Sequence, residues 1–453
     1  MYYRTIKKLI LLTGDVAMLY SSLYITLLIR YWSKPGLDLW QKHCWLFTII
    51  FIVWIFIFYI ADLYNLNLAV NNIRFIMLTS RCIIIAGLFS VIFFYLIPQF
   101  DIAPKTNLFL CIAIFIILFF LWRKFFNWIL EISPKNNIII IGINQQVYEL
   151  IEKLRKNPRL GFNVLLIINN KQIKHNINNI PVISDMTNLK KVIIDYKINT
   201  VVLAADPRES HTLRSALFQC MSLQINYTTL PHFYENVTGK IPVKAINEMW
   251  FLENLNKGEK KFFNIVKRSY DIILALLIFI ITCVFWPIIA FLIKIESKGP
   301  VFITMKRAGK NNREFRMFKF RTMKEESNNR SITIKNDPRI TKFGSFLRKT
   351  RIDEIPQVLN ILKGEMSFVG PRPERPELIK NLEKYIPFYK EKTLIKPGVT
   401  GWDQISGEYH SPSHEDTLKK LQYDLFYIKN RSIYLDLSIM LKTISTVLSR
   451  KGR

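Results

Sequence analysis

The chain has 453 residues, a formal net charge of +29 and a hydrophobic share of one half. That length allows two or three domains. Apolar residues crowd the first 130 positions and the stretch 272–293, while Lys and Arg crowd the rest, which excludes a plain soluble enzyme and a disordered polycation. An integral membrane protein with a basic soluble part remains, and the charge by itself would suit either phosphate backbones or anionic lipid. The five cysteines (Cys44, Cys82, Cys111, Cys220, Cys283) form no C-x-x-C and mostly lie in apolar runs. They read as small hydrophobes rather than a disulfide frame or a zinc site.

A spanning helix needs about 20 mostly apolar residues. Four stretches approach this before residue 130: Leu9–Ile29, Trp45–Ile60, Phe75–Ile97 and Asn107–Trp122. No small-x-small site follows the first, so it reads as an anchor rather than a cleaved leader. Arg4, Lys7 and Lys8 precede the first stretch and Arg123, Lys124 and Lys135 follow the fourth, which predicts both ends on the cytoplasmic side. Asp15 and Arg81 are the two awkward charges in these stretches. One reading pairs them or gives them to a substrate; the favoured one puts each near an interface, where snorkelling relieves its cost. The bundle as a whole reads as an anchor.

From Asn136 the pattern changes. Ile138–Ile141, Gly142 and the amphipathic Val147–Leu154 are followed by apolar runs at Val164–Ile168, Val192–Ile194, Thr200–Ala204 and Gln224–Thr228. Strands alternating with helices predict a parallel α/β sheet. A dinucleotide fingerprint needs three glycines. Here Gly142 is followed by Ile143, Asn144, Gln145, Gln146 and Val147, and Asn169 and Asn170 stand where an acid would hold a ribose. A packing or regulatory role is favoured over nucleotide binding.

Ile272–Ile293 is again long enough to span, but Trp286-Pro287 lies inside it. Proline removes a hydrogen-bond donor and clashes with the preceding turn, so a kink is expected. Lys267 and Arg268 before it and Lys294 and Lys298 after it are all basic, which favours a re-entrant helix returning to one face over a straight span.

The C-terminal part is the densest in chemistry. Val301–Ile303 and Phe315–Phe320 read as strands around a turn at Gly309–Asn312. Lys319 and Arg321 are two apart and so face one side of an extended strand; this suits a diphosphate and equally a solvated edge. Thr350-x-x-Asp353 has the spacing of a capping box, with Pro356 tolerated in a first helical turn. Asp353 and Glu354 would then sit at a helix N-terminus, which favours phosphates and metal-bound phosphates. Adjacent acids do not share a helical face, which argues against an acid/base pair on one wall. Gly370-Pro371-Arg372-Pro373 fixes the backbone around a fork suited to phosphate. Lys396-Pro397-Gly398-Val399-Thr400-Gly401-Trp402 is a Gly-rich turn that could cradle phosphate and stack a base on Trp402, or simply be rigid.

In unbroken order over 262–450, several segments carry a family resemblance: Lys267-Arg268-x-x-Asp271, Gly299-Pro300-Val301-Phe302, Phe318-Lys319-Phe320-Arg321-Thr322-Met323, Asp337-Pro338-Arg339-Ile340-Thr341, Asp353-Glu354-Ile355-Pro356-Gln357, Gly370-Pro371-Arg372-Pro373 and the turn from Lys396 to Trp402. The chain resembles the bacterial sugar transferases, specifically the long-form polyprenyl-phosphate hexose-1-phosphate transferases, which are monotopic phosphoglycosyl transferases. The resemblance implies a four-helix transmembrane domain (1–130), a degenerate Rossmann-like α/β domain (136–250), a re-entrant membrane helix (262–296) carrying Lys267, Arg268, Asp271 and Pro287, and a mixed α/β catalytic domain (297–453).

It further implies that Asp353 attacks the β-phosphate of a UDP-sugar, releasing UMP, and that undecaprenyl phosphate then takes the phosphosugar. This would be the first membrane step of exopolysaccharide, capsule or O-antigen synthesis. Asp353 and Glu354 would hold Mg²⁺. Arg372, Arg348, Lys319, Arg321, Lys396, Gly398 and Trp402 would bind phosphate or substrate. The expected setting is the bacterial inner membrane with the catalytic domain cytoplasmic, anionic lipids as neighbours, no nucleic acid, and a homo-oligomer left open. A non-catalytic scaffold and a nucleotide-sugar-modifying enzyme are the alternatives; the intact acids and the missing glycines speak against them. Trp286, Asp403 and Ser406 depart from the residues common in the family.

Overall fold

A computed structural model describes residues 2–32, 34–64, 73–96, 104–132, 134–169, 180–184, 188–255, 260–324, 337–406 and 413–448. Ile97 and Asn170 of the expectations above lie outside these. The chain divides into two compact bodies, 1–238 and 239–453.

The first body opens with four helices, α1 (Tyr2–Tyr31), α2 (Leu37–Ile60), α3 (Ile73–Leu96) and α4 (Pro104–Ile132). Each contains a segment long and apolar enough to cross a membrane. The second and fourth segments are longer than their apolar runs, Leu37–Ile60 and Asn107–Leu130, because their polar flanks stay helical. Aromatic side chains fill the centre of the bundle: Trp54, Phe58, Phe115 and Phe119 meet ring to ring at 5.4–6.2 Å.

The interface reading of Asp15 is corrected. Arg123 Nη2 donates to Asp15 Oδ2 at 2.6 Å, and both side chains are 0% exposed. Arg123 also donates to the Leu63 carbonyl at 3.0 Å and lies over the Phe119 ring. One turn of α1 makes this possible. At Gly14 a Cβ would stand 2.1 Å from the Trp122 indole, so glycine lets α4 close onto α1 and seat the next residue pair. Arg81, by contrast, is on the exposed face of α3. His43 and Asn107 form a second buried polar contact, Nε2 to Nδ2 at 3.1 Å.

The rest of this body is a sheet with helices: β1 (Asn136–Ile141), α5 (Gln145–Lys156), β2 (Phe162–Ile168), β3 (Val182–Ile183), α6 (Leu189–Asp195), β4 (Thr200–Leu203), α7 (His211–Gln219), β5 (Asn226–Thr229) and α8 (Leu230–Thr238). All five strands are parallel, in the order β3-β2-β1-β4-β5. The run Val192–Ile194 is part of α6. Ile138 and Ile140 face one core, Ile139 and Ile141 the other, the two-sided burial that a covered parallel strand requires. Gly142 has φ +97°, and a Cβ there would meet the Ala205 nitrogen at 2.8 Å. The N-terminus of α5 is closed by its own Asn144, whose side chain accepts from Val147 N–H at 3.0 Å.

The second body begins at Gly239, ahead of the expected boundary at 250, because Ile241 and Val243 enter its main core. It comprises α9 (Glu248–Leu255), α10 (Lys261–Cys283), α11 (Trp286–Glu296), β6 (Phe302–Ala308), β7 (Glu314–Phe320), α12 (Lys342–Thr350), α13 (Gln357–Lys363), β8 (Ser367–Val369), α14 (Pro376–Leu382), β9 (Gly398–Thr400), α15 (His414–Asn430) and α16 (Ile433–Leu448). β6 and β7 are an antiparallel pair; β8 and β9 are a parallel one.

α10 and α11 meet at a 61° bend. The bend falls where the sequence places its proline, just inside the start of α11, where a missing N–H costs least. Both arms pack on the same body. Ala275 of α10 lies with Phe315, Met317 and Ile361; Ile293 of α11 lies with Phe320 and Leu347. Trp286 fills the corner between them, 5.5–5.6 Å from the rings of Phe279, Phe302 and Phe320. The outward faces expose Ile273, Leu277, Ile280, Ile281, Ile288 and Phe291, more contiguous apolar surface than water tolerates on a soluble domain.

Candidate active site

α12 ends at Arg351, which takes the left-handed conformation at φ 61°. The chain then makes a tight 3₁₀ turn over Ile352–Glu354 before α13 starts beyond Pro356. The expected capping box does not form. Thr350 lies in the last turn of α12, where carbonyls lack partners, and its hydroxyl donates back to Phe346 O and Leu347 O at 2.8 and 3.1 Å. Asp353 and Glu354 occupy this 3₁₀ turn, and both carboxylates nonetheless reach one cation, where the expectation put them on different faces.

They converge on Lys319. Its Nζ is 2.7 Å from Glu354 Oε1 and 4.0 Å from Asp353 Oδ2. Arg351 Nη1 and Arg372 Nη2 approach the same Glu354 oxygen at 3.7 and 4.0 Å. Asp353 is buried, and its Oδ1 has no hydrogen-bond partner. Burial pushes the Asp353 carboxyl above the ordinary aspartate range. Lys319, Arg348 and Arg351 pull the other way and Glu354 adds to the rise. Burial also works against the Glu354 anion, but Lys319, Arg372 and Arg351 outweigh it and hold that carboxyl at about 2. Two adjacent acids thus differ in proton affinity, the pattern by which a site divides roles between carboxylates.

The remaining residues divide into those at the dyad and those that support it. Arg348 Nε donates to Thr322 Oγ1 at 2.8 Å. Arg321 lies beyond the end of β7, and its Nη2 donates to Ser297 O at 2.6 Å, so it does not share the direction of Lys319. Trp402 stacks on Phe426 at 5.5 Å and donates to Gly239 O at 2.9 Å; its indole is engaged in packing. Lys396 stands beside Arg268 at Gly364, and burial followed by that guanidinium lowers its proton affinity.

Gly398 and Gly370 bring two backbones into contact. A Cβ on Gly398 would be 2.1 Å from Gly370 N, and one on Gly370 would be 2.5 Å from Lys396 O. This close approach seats the Pro371-Arg372-Pro373 loop against the Gly-rich turn. The motif on α10 anchors that helix to this platform. Lys267 Nζ reaches Asp436 Oδ2 at 2.5 Å, Arg268 donates to the Ile361 and Leu362 carbonyls at the end of α13, and Asp271 accepts from Phe368 N–H at 3.2 Å.

Sequence reasoning passed over Arg351, Asp436 and Asn360. A left-handed arginine leaves no sequence mark. Asn360 does: it is a lone amide inside the apolar run Val358-Leu359-Asn360-Ile361-Leu362, and it is 0% exposed.

Against known families, residues 262–450 match the bacterial sugar transferase model and residues 59–231 match a CoA-binding domain model. A UDP-N-acetylgalactosamine-undecaprenyl-phosphate N-acetylgalactosaminephosphotransferase of Aeromonas hydrophila is 36% identical over 52% of this chain and 55% of its own length. UDP-glucose:undecaprenyl-phosphate glucose-1-phosphate transferases of Xanthomonas campestris pv. campestris and Klebsiella pneumoniae are 31% and 30% identical, over 69% and 78% of this chain and 67% and 77% of theirs. The alignment thus spans little more than half of the Aeromonas relative and two thirds or more of the other two.

Proposed function

The chain belongs to the bacterial sugar transferase family, and on that premise we propose that it moves a sugar-1-phosphate from a UDP-sugar to undecaprenyl phosphate and releases UMP. The observation that carries this reading is the convergence of Lys319 from β7 and Arg372 from the loop after β8 on the turn that holds Asp353 and Glu354.

In the first step an Asp353 carboxylate oxygen forms a bond to the β-phosphorus. The bond from that phosphorus to the bridging oxygen breaks, and UMP leaves with the bridging oxygen and its electron pair. In the second step a phosphate oxygen of the lipid attacks the same phosphorus. The Asp353–phosphorus bond breaks, the carboxylate is restored, and a lipid-diphospho-sugar forms. Splitting the transfer lets one pocket serve two substrates that never meet. Lys319, Arg351 and Arg372 stabilise the charge on the transferring group, and the depressed Glu354 stays ionised throughout.

The donor set fits Mg²⁺. Asp353 Oδ1 is a hard oxygen without a partner, and Glu354 lies beside it. No group of three or more His, Cys, Asp and Glu able to hold a metal occurs among the described residues, which suits an ion that takes one or two carboxylates and completes its shell with substrate phosphates. When bound, it would offset diphosphate charge.

The bent pair α10–α11 supports a re-entrant helix, since Arg268 and Asp271 at one end and Glu296 at the other both bond to the same body; Glu296 accepts from Phe343 N–H at 2.9 and 3.0 Å. We infer a catalytic domain at the cytoplasmic face of the inner membrane, where a soluble nucleotide-sugar and a lipid phosphate would both come within reach. The sheet domain, with its self-capped α5, reads as a packing or regulatory body.

The test incubates membranes containing the protein with a panel of UDP-sugars, undecaprenyl phosphate and Mg²⁺ and measures UMP. Release with at least one sugar is expected, along with a phosphosugar adduct on Asp353 by mass spectrometry when the lipid is withheld. No UMP from any sugar, or full activity in Asp353→Asn, overturns the reading.

A further inference from the structure

The ammonium between the two acids is held from behind as well as from in front. An antiparallel strand turns the N–H and C=O of alternate residues away from its partner, and β7 pairs only with β6 among the described residues. At the outer edge of β7 a single side chain stands in for a third strand. Asn360 Oδ1 accepts from Phe318 N–H at 3.0 Å, and Asn360 Nδ2 donates to Arg316 O at 2.7 Å. The second amide hydrogen goes to Glu365 Oε2, also at 2.7 Å. All the donors and the acceptor of this buried amide are used, which is the condition under which a buried polar group rigidifies its surroundings.

The position matters more than the satisfaction. Lys319 follows Phe318 directly on β7, and α13, which carries Asn360, begins just past the turn that carries Asp353 and Glu354. The Asn360 amide therefore bridges the same two chain segments that the Lys319–Glu354 contact bridges. We propose that Asn360 is a positioning residue, setting Lys319 against the acid pair, and that Glu365 fixes its orientation. It touches neither acid. The inference rests on the proposed roles of Asp353 and Glu354, but the geometry it concerns can be read without turnover.

The experiment acylates exposed amines of the full-length protein in membranes and follows Lys319 and Lys392 by peptide mass spectrometry. Lys319 is 13% exposed in its ion pair. Lys392, buried 3.2 Å from Asp424 in the same body, reports on the fold. In Asn360→Ala, Lys319 should label about tenfold faster, the factor carried by one hydrogen bond to a charged group, while Lys392 keeps its wild-type rate. Asn360→Asp keeps the volume and the acceptor but loses the donor to Arg316 O, and it should show the same split; it decides the matter if the alanine variant exposes both lysines. Unchanged Lys319 labelling in both variants overturns the proposal, as does a joint rise of both lysines in both variants, which would make Asn360 a residue of the fold alone. Where UMP release is measured, Asn360→Ala should cost little more once Lys319→Met is present, the non-additivity of residues acting through one contact. A wild-type protein that releases no UMP overturns the dyad's role and leaves the labelling split standing.

Discussion

Lys319 Nζ lies 2.7 Å from Glu354 Oε1 and 4.0 Å from Asp353 Oδ2, so one ammonium serves two neighbouring carboxylates. It lowers the proton affinity of both. Attack needs ionised Asp353, so UMP release should fall on the acid side as Asp353 protonates, above the ordinary aspartate range, while Glu354 stays charged. Lys319→Met should move that limb to higher pH and lower the maximal rate by about tenfold or more. Initial rates across the acid range check this; an unmoved limb in Lys319→Met would show that Lys319 does not set the charge of the nucleophile.

The two acids should have opposite effects on stability. The folded protein raises the Asp353 value above its unfolded one, so the ionised side chain costs stability at neutral pH. Asp353→Asn should therefore melt higher by a few degrees, and the gain should disappear as pH falls below about 4, the unfolded aspartate value. Glu354 is depressed to about 2. Its stabilisation is fully present above the unfolded value and is lost as pH falls toward 2, so Glu354→Gln should cost about 2 kcal/mol at neutral pH. Melting curves of both variants at neutral and acid pH separate the two signs, and a shared sign refutes the assignment.

Gly398→Ala tests how Arg372 is seated. The added methyl would lie 2.1 Å from Gly370 N and 2.5 Å from Thr400 O, both backbone atoms, so the loops must part. Overpacking of this kind costs about 1–3 kcal/mol. The Arg372 loop moves with Gly370, so KM for the UDP-sugar should rise alongside the loss of stability. A variant that melts lower with an unchanged KM would separate the glycine contact from substrate binding.

Much of this was legible in the sequence. The four membrane helices followed from apolar run length, the parallel sheet from alternating strands and helices, and the bend from Pro287. Asp353, Glu354, Lys319 and Arg372 stood out through residue type and local spacing. The convergence of the acids on Lys319 was hidden, because Lys319 stands 35 residues from Glu354 in the chain and the Thr-x-x-Asp spacing reads locally as a cap. For Arg321 and Trp402 the sequence left a ligand role beside a structural one, and it could not show that they donate to Ser297 O and Gly239 O. Asp15 was misplaced for a related reason: its partner is 108 residues away, and no local pattern reports a contact of that range.

That contact gives the last prediction. Asp15 and Arg123 are both fully buried in the helical bundle, where removing one ion leaves the other uncompensated. Asp15→Leu or Arg123→Met should each destabilise the bundle by about 3–5 kcal/mol. The double variant Asp15→Leu with Arg123→Met has no charge left to strand, and packing of apolar side chains should recover most of the loss. Recovery will not be complete, because Arg123 also holds the Leu63 carbonyl and covers the Phe119 ring. Thermal unfolding of the four chains in detergent gives the cycle. Additive losses in the double variant would mean that the two residues act separately, and single variants that melt like wild type would mean that the pair contributes nothing to closing α1 onto α4.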